Sequence, residues 1–227
     1  MQKSSETKVQ VGKVEGRRGR PRAFDREAAL AQATRLFWEK GYEATSIADL
    51  GQAMGIGSPS LYAAFGSKAA LFTEAIQYYS RQYEHLVWSK FDAAMTAREA
   101  ISSYLYDSAV ALSSGAGEAP RGCMITLSMV GSEGHAELGQ IVAGARAQTL
   151  NRLESRLEQA VASGEIPSGV SVRGLARFVQ SVQAGMSILA RDLVPQEELE
   201  NVAQIALSNY DIMVESENLY GTKSVAR

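Results

Sequence analysis

The sequence predicts an all-α protein: an N-terminal three-helix helix-turn-helix unit followed by a larger helical body, about nine helices in all. Three observations carry that expectation. Apolar residues recur at three- and four-residue steps along most of the chain after Asp25, the spacing of one helix face. Cap-forming residues such as Asp25, Ser58, Ser67 and Thr96 stand immediately before those runs. Glycine or proline punctuates the gaps, at Gly41, Gly55, Pro167 and Pro195.

Composition sets the outer limits. The chain has 227 residues, 45 % hydrophobic and 21 % charged, which excludes disorder over its whole length. No apolar run reaches 18 residues, so no membrane span is expected, and no hydrophobic segment follows the polar N-terminus to make a secretory signal. Cys123 is the single cysteine, which fits a reducing, cytoplasmic setting. The net charge of −2 hides an asymmetry. Residues 1–68 carry 11 Lys and Arg against 7 Asp and Glu; residues 69–227 carry 12 against 18. A basic front and an acidic rear point to a polyanion met by the front alone.

Residues 1–22 lack apolar periodicity and are read as a basic, flexible arm. Its dense part is Arg17, Arg18, Arg20 and Arg22, with Gly19 and Pro21 denying it a helix. An extended arginine strip suits the narrow minor groove of DNA, and this one resembles the Arg-Gly-Arg-Pro core of AT-hook segments.

Residues 23–68 read as a compact unit. Asp25 caps a first helix to about Lys40, with Leu30, Ala33 and Phe37 on its inner face. Thr45 is expected to cap a second, short helix carrying Ile47 and Leu50 and ending near Met54. Gly55 supplies a positive-φ turn. Ser58 is read as the N-cap of a third helix, with Pro59 at its first position and Leu61 and Phe65 turned inward. Two short helices joined by a glycine turn form the helix-turn-helix arrangement, in which the second helix enters the major groove by its N-terminal end.

The residues go beyond that spacing. Phe37-x-x-x-Gly41-Tyr42-x-x-Thr45, the run from Thr45 to Leu50, and Leu61-Tyr62-x-x-Phe65-x-x-Lys68 resemble the DNA-binding domain of TetR/AcrR-type regulators over about one fifth of the chain. That resemblance implies a transcriptional regulator, most simply a repressor released from a pseudo-palindromic operator by a small effector. It also implies roles residue by residue. Thr45 looks like a phosphate contact at a helix N-terminus, with Ser46 beside it. Ser58, Pro59 and Ser60 look like base-edge or sugar-phosphate contacts, and Tyr62 and Lys68 like phosphate contacts. Ala63 and Ala64 stand where many relatives carry larger side chains, so sparse direct readout is expected, with phosphates and the arm supplying more of the affinity.

Residues 69–215 read as a helical effector-binding and dimerisation domain, and 216–227 as a C-terminal tail. Helix four begins at the Ser67 cap. Thr96 and Glu99 form a capping box for helix five. Helix six is expected from Cys123 to about Val130, and a long helix from about Ala136 to Ala162. The last two helices carry apolar stripes: Leu175, Phe178, Val182, Met186 and Leu189 on one, Leu199, Val202, Ala206, Tyr210 and Met213 on the other. Paired amphipathic helices of this kind can form half of an intermolecular four-helix bundle, and the resemblance implies a homodimer made through them.

The resemblance also implies an effector cavity inside the body. Candidates for its lining are Tyr78, Tyr79, Tyr104, Cys123, Met124, Met129, Phe178 and Gln183. Few charges fall in these stripes, so an uncharged or aromatic effector is expected. Cys123 behind Arg121 raises the alternative of a thiol that senses oxidants or electrophiles. A second alternative is a non-specific architectural DNA-binding protein. No catalytic residues, metal ligands or cofactor are expected: His85 and His135 are scattered, and no Gly-x-Ser-x-Gly elbow, His-Glu-x-x-His pair or phosphate loop is present.

Overall fold

The computed structural model describes residues 24–114, 120–128, 130 and 134–221, with side chains as far as Glu215. Nine helices follow in chain order among them: α1 (Arg26–Lys40), α2 (Ile47–Met54), α3 (Ser58–Phe65), α4 (Lys68–Ala93), α5 (Ala97–Ser114), α6 (Met124–Leu127), α7 (Ala136–Ala162), α8 (Val172–Arg191) and α9 (Gln196–Gly221). The helix-turn-helix architecture and the all-α class agree with the sequence expectation. None of the described helices is long and apolar enough to cross a membrane.

Local chemistry sets the ends of the head helices. The Asp25 carboxylate accepts the backbone N–H groups of Glu27 and Ala28, and Gly41 closes α1 at φ +79°. The cap of α2 is Ser46, one residue later than expected. Its hydroxyl accepts Asp49 N–H, and the Asp49 carboxylate accepts the Ser46 N–H in return. Thr45 is fully buried instead. Its hydroxyl donates to the Gly41 carbonyl at 2.6 Å and its N–H to Tyr42. It ties the α1–α2 corner and presents no group to a phosphate. Gly55 turns the chain at φ +67°. Gly57, not Ser58, is the N-cap of α3, so Ser58 and Pro59 are its first two residues.

The three head helices pack on the first half of α4. Phe37, Leu50, Leu61, Leu71 and Phe72 are almost fully buried in one core, with the Phe37 and Phe72 rings edge to face at 5.2 Å. Burying each such side chain contributes about 1.5–3 kcal/mol. Met124, Leu138 and Val142 close this same core from the body side. Helix α4 therefore belongs to both parts: Leu71 to Tyr79 sit in the head core, Phe91 in the body core.

In the body, Thr96 and Glu99 form the expected capping box on α5, and Glu165 adds a second cap by accepting the Ala97 N–H at 2.6 Å. Helix α6 is four residues long, shorter than expected. Arg146 donates to the Ile125 and Ser128 carbonyls and the Ser128 hydroxyl donates to the Met124 carbonyl, so these three are satisfied where the chain leaves the helix. Helix α9 continues to Gly221, into the segment read as a tail.

The apolar stripes of α8 and α9 correct the expected dimer surface. Leu175, Met186, Leu199, Ala206 and Tyr210 are buried in the protomer's own core. Phe178, Val182 and Val202 pack against it. Leu189 and Met213 are exposed, together with Ile188, Leu193, Ile205 and Ile212, which the sequence reading did not single out. Periodicity identified amphipathic helices; the protomer's core had already taken the stripes it marked.

Candidate nucleic-acid interface and effector cavity

Helix α3 turns Leu61 and Phe65 into the head core. Ser58, Pro59, Ser60, Tyr62 and Ala63 consequently lie on one solvent-facing surface. Tyr62 is 49 % exposed, so its ring is not needed for packing. Ser46, at the N-terminus of α2, is exposed on the same unit. Helix N-termini present unpaired N–H groups and partial positive charge, which suits phosphate. Among the described residues, nothing of the chain covers the opening of α3.

Two basic residues of the head do structural work. Arg26 bonds the Glu74 carboxylate at 2.8 Å and lies over the Phe65 ring, pinning the end of α3 to α4. Lys68 stands with Nζ 4.2 Å from the centre of the Tyr42 ring. Partial burial holds its ammonium below the usual lysine range, with Glu43 opposing the shift. The expected phosphate role of Lys68 thus meets a side chain already held against an aromatic face. Arg17, Arg18, Arg20 and Arg22 lie outside the described residues.

The second site is a cavity of about 600 Å³, walled by α4, α5, α7 and α8 and completed by Trp38 of α1 and by Cys123, Ile125 and Thr126 around the start of α6. Of the expected lining residues, Tyr79, Tyr104, Cys123 and Gln183 border it. Tyr78 does not; one residue round α4, it borders a second pocket beside α1, which shares Trp38, Tyr83 and Leu86 with the first. Met124 is buried in the head core, Phe178 packs on the body core, and Met129 lies outside the described residues. Burial pushes the Tyr79 and Tyr104 hydroxyls well above the ordinary phenol range, with Cys123 adding to both shifts. Both stay protonated and uncharged. Cys123 is half-buried at the wall, and its N–H donates to the Ser187 hydroxyl at 2.7 Å.

The lining also holds residues that sequence reading passed over. Trp38, Tyr83, Trp88 and Ser108 border the cavity, as do Arg146, Arg152 and Arg177. The expectation of few charges fails here, because side chains spaced along three different helices converge on one space. Arg152 bonds the Glu84 and Asp92 carboxylates and stacks 4.4 Å over Trp88, joining α7 to α4. Arg191 of α8 donates to the Trp38 and Glu39 carbonyls, clamping the last turn of α1 onto the body. Among the described residues no cluster of His, Cys, Asp and Glu has the makings of a metal site.

The chain is thus a three-helix head with an open α3, set on a hollow helical body. The family profile described as "Bacterial regulatory proteins, tetR family" matches residues 29–75, ending inside the part of α4 that packs in the head core. The HTH-type transcriptional repressor ComR of Escherichia coli (strain K12) is 36 % identical over 198 residues, covering 86 % of this chain and 92 % of ComR. The chain belongs to the TetR family of bacterial regulatory proteins. A second relative, the HTH-type transcriptional repressor BdcR of the same organism, is 51 % identical over 61 residues, 27 % of this chain and 31 % of BdcR. A solved structure of the TetR family transcriptional regulator CifR, a cysteine mutant complexed with 26-bp double-strand operator DNA, is 37 % identical with a TM-score of 0.78. That match covers 83 % of this chain and 98 % of CifR.

Proposed function

We propose that this TetR-family protein is a homodimeric transcriptional repressor that binds a pseudo-palindromic operator and releases it when a small effector fills the body cavity. The observation that carries the reading is the exposed N-terminal half of α3: Ser58, Ser60 and Tyr62 face solvent on a helix whose Leu61 and Phe65 are locked inward. The relatives support it. ComR and BdcR are repressors, and CifR, at 37 % identity, is solved on operator DNA. A regulator of this kind works in the cytoplasm, on DNA.

Ser46, Ser58, Pro59, Ser60 and Tyr62 are the proposed DNA contacts within the head. The basic arm, with Arg17, Arg18, Arg20 and Arg22, adds phosphate and minor-groove contacts. The exposed apolar face of α8 and α9 supplies the dimer surface. Leu193 is 71 % exposed and sits at φ +68°, two unfavourable features for a leucine in a lone protomer. Ile205 and Ile212, 64 % and 62 % exposed, lie two helical turns apart on one side of α9.

Release follows from the shared helix. Whatever shifts the body half of α4 moves its head half, and with it α3. A tenfold fall in operator affinity requires the effector to prefer the released conformation by about 1.4 kcal/mol. One observation favours a second reading of the trigger: the Cys123 thiol borders the cavity beside Tyr79, where a reactive ligand would meet it. The test of the main reading is a fluorescence titration of the protein on its own upstream DNA and on a scrambled duplex at moderate salt. Tighter binding to the upstream DNA is expected. Equal binding to both means an architectural protein, and overturns specific repression.

A further inference from the structure

We infer that Arg191 is the positioning residue that sets how the DNA-binding head sits on the body, and that through it α8 carries the state of the cavity to α1. The inference rests on the regulator reading above and adds a second route of release beside α4.

A helix ends with four backbone carbonyls that have no donor inside it. At the end of α1 the Gly41 N–H answers the Phe37 carbonyl. The Trp38 and Glu39 carbonyls are answered from the body. Arg191 Nη2 donates to the first at 2.9 Å and Nη1 to the second at 3.3 Å. A guanidinium at this end also meets the negative pole of the helix dipole. The first helix of the head is therefore capped by a side chain of α8. That side chain is half-buried, and its Nε is buried with no partner within the protein. An unpaired buried donor is costly, and the two bonds to α1 offset it. Burial holds the guanidinium below the usual arginine range, with the Glu39 charge opposing the shift.

A second body side chain grips the same corner. His135, the N-cap residue of α7, meets the Tyr42 ring edge-on at 5.0 Å, and its Nε2 is 3.7 Å from the Glu43 carboxylate. Two body helices thus hold the turn between α1 and α2, apart from the covalent link at α4.

Helix α8 also walls the cavity, through Gln183 and Ala184 among others. Ala184 lies about two turns before Arg191 on the same helix. A ligand that displaces this stretch of α8 displaces its Arg191 end, and α1 follows. Helices α1, α2 and α3 share one core, so α3 moves with α1. The separation of the two copies of α3 in a dimer changes accordingly.

The test compares the footprinted upstream operator with a duplex carrying half of it, at low salt, where half-site binding is measurable. A half-site needs one folded head. The intact operator needs two heads at a fixed separation. Arg191→Met keeps the stem and removes the donors. It should bind the intact operator about tenfold less tightly and the half-site with unchanged affinity. Ala184→Phe, which puts a ring between α8 and the cavity, should weaken operator binding by about tenfold alone and by much less when added to Arg191→Met. Unchanged operator affinity in either variant, an equal loss of Arg191→Met on both duplexes, or additive losses in the double variant overturns the inference. If Arg191→Met fails to fold, Arg191→Lys takes its place; it keeps the charge but loses the fork, and a loss of about threefold confined to the intact operator is expected. Hydrogen exchange of the free protein gives a readout without DNA. The Gly41 and Thr45 N–H groups, bonded to Phe37 and Tyr42, should exchange faster in Arg191→Met, and unchanged exchange there overturns the inference. Equal binding of the unchanged protein to upstream and scrambled DNA would sink the regulator reading and leave the exchange result standing.

Discussion

Thr45 and Ser46 are adjacent hydroxyl residues with opposite surroundings. Thr45 is sealed in the corner between α1 and α2, bonded to Gly41 O; Ser46 caps α2 in solvent with Asp49. Thr45→Val should therefore cost stability, about 1 kcal/mol for the lost bond, and leave the operator affinity of the folded protein unchanged. Ser46→Ala should cost a similar amount, about 1 kcal/mol for a lost cap, and also weaken DNA binding. Urea unfolding read beside DNA titration separates the two; weaker DNA binding in folded Thr45→Val would restore Thr45 as a contact. In the sequence either hydroxyl is a good N-cap, so the pair was legible and its order was not. The corner itself decides it: the Thr45 hydroxyl is bonded back to the Gly41 carbonyl, next to the stacked Phe37 and Tyr42 rings. The same limit explains Trp38. As a residue of α1 it reads as head core, and nothing in its spacing shows that its ring edge reaches a cavity in the body.

At the scale of elements, the α2–α3 turn brings Gly51 and the Ile56 backbone close together. A Cβ on Gly51 would lie 2.8 Å from the Ile56 carbonyl oxygen, a backbone atom that cannot step aside. Gly51→Ala should destabilise the fold by about 1–3 kcal/mol through overpacking and reduce operator binding with it. A melting temperature equal to that of the unchanged protein would contradict the packing described here. The helices themselves were largely legible, because caps and 3.6-residue periodicity act within a few residues of sequence. Helix α6 was not. Its end depends on Arg146, which reaches it from α7, and a long-range bond leaves no local mark. The double membership of α4 was equally hidden, since one continuous helix pattern can serve two cores.

At the scale of the whole molecule, the function depends on pairing. The described chain leaves Ile188 of α8, Leu193 of the α8–α9 turn, and Ile205 and Ile212 of α9 exposed. Replacing Ile205 and Ile212 together by Glu should give a folded monomer by sedimentation, because neither side chain supports the protomer's own core. Its operator affinity should fall by about a hundredfold or more, as two half-sites can no longer be held by one particle. A double variant that still sediments as a dimer would move the interface elsewhere. Periodicity revealed that these helices are amphipathic. It did not divide the apolar surface between the core and a partner, which only the three-dimensional packing resolves.

Paired heads make a geometric demand on DNA. Two copies of α3 related by a two-fold axis reach major grooves about one helical turn apart, roughly 34–36 Å. Hydroxyl-radical footprinting of the protein on its own upstream DNA measures this directly. The expected result is two protected patches of mirrored sequence separated by that turn, both lost in the Ile205/Ile212 variant. A single patch, or protection spread evenly along the duplex, would contradict the account.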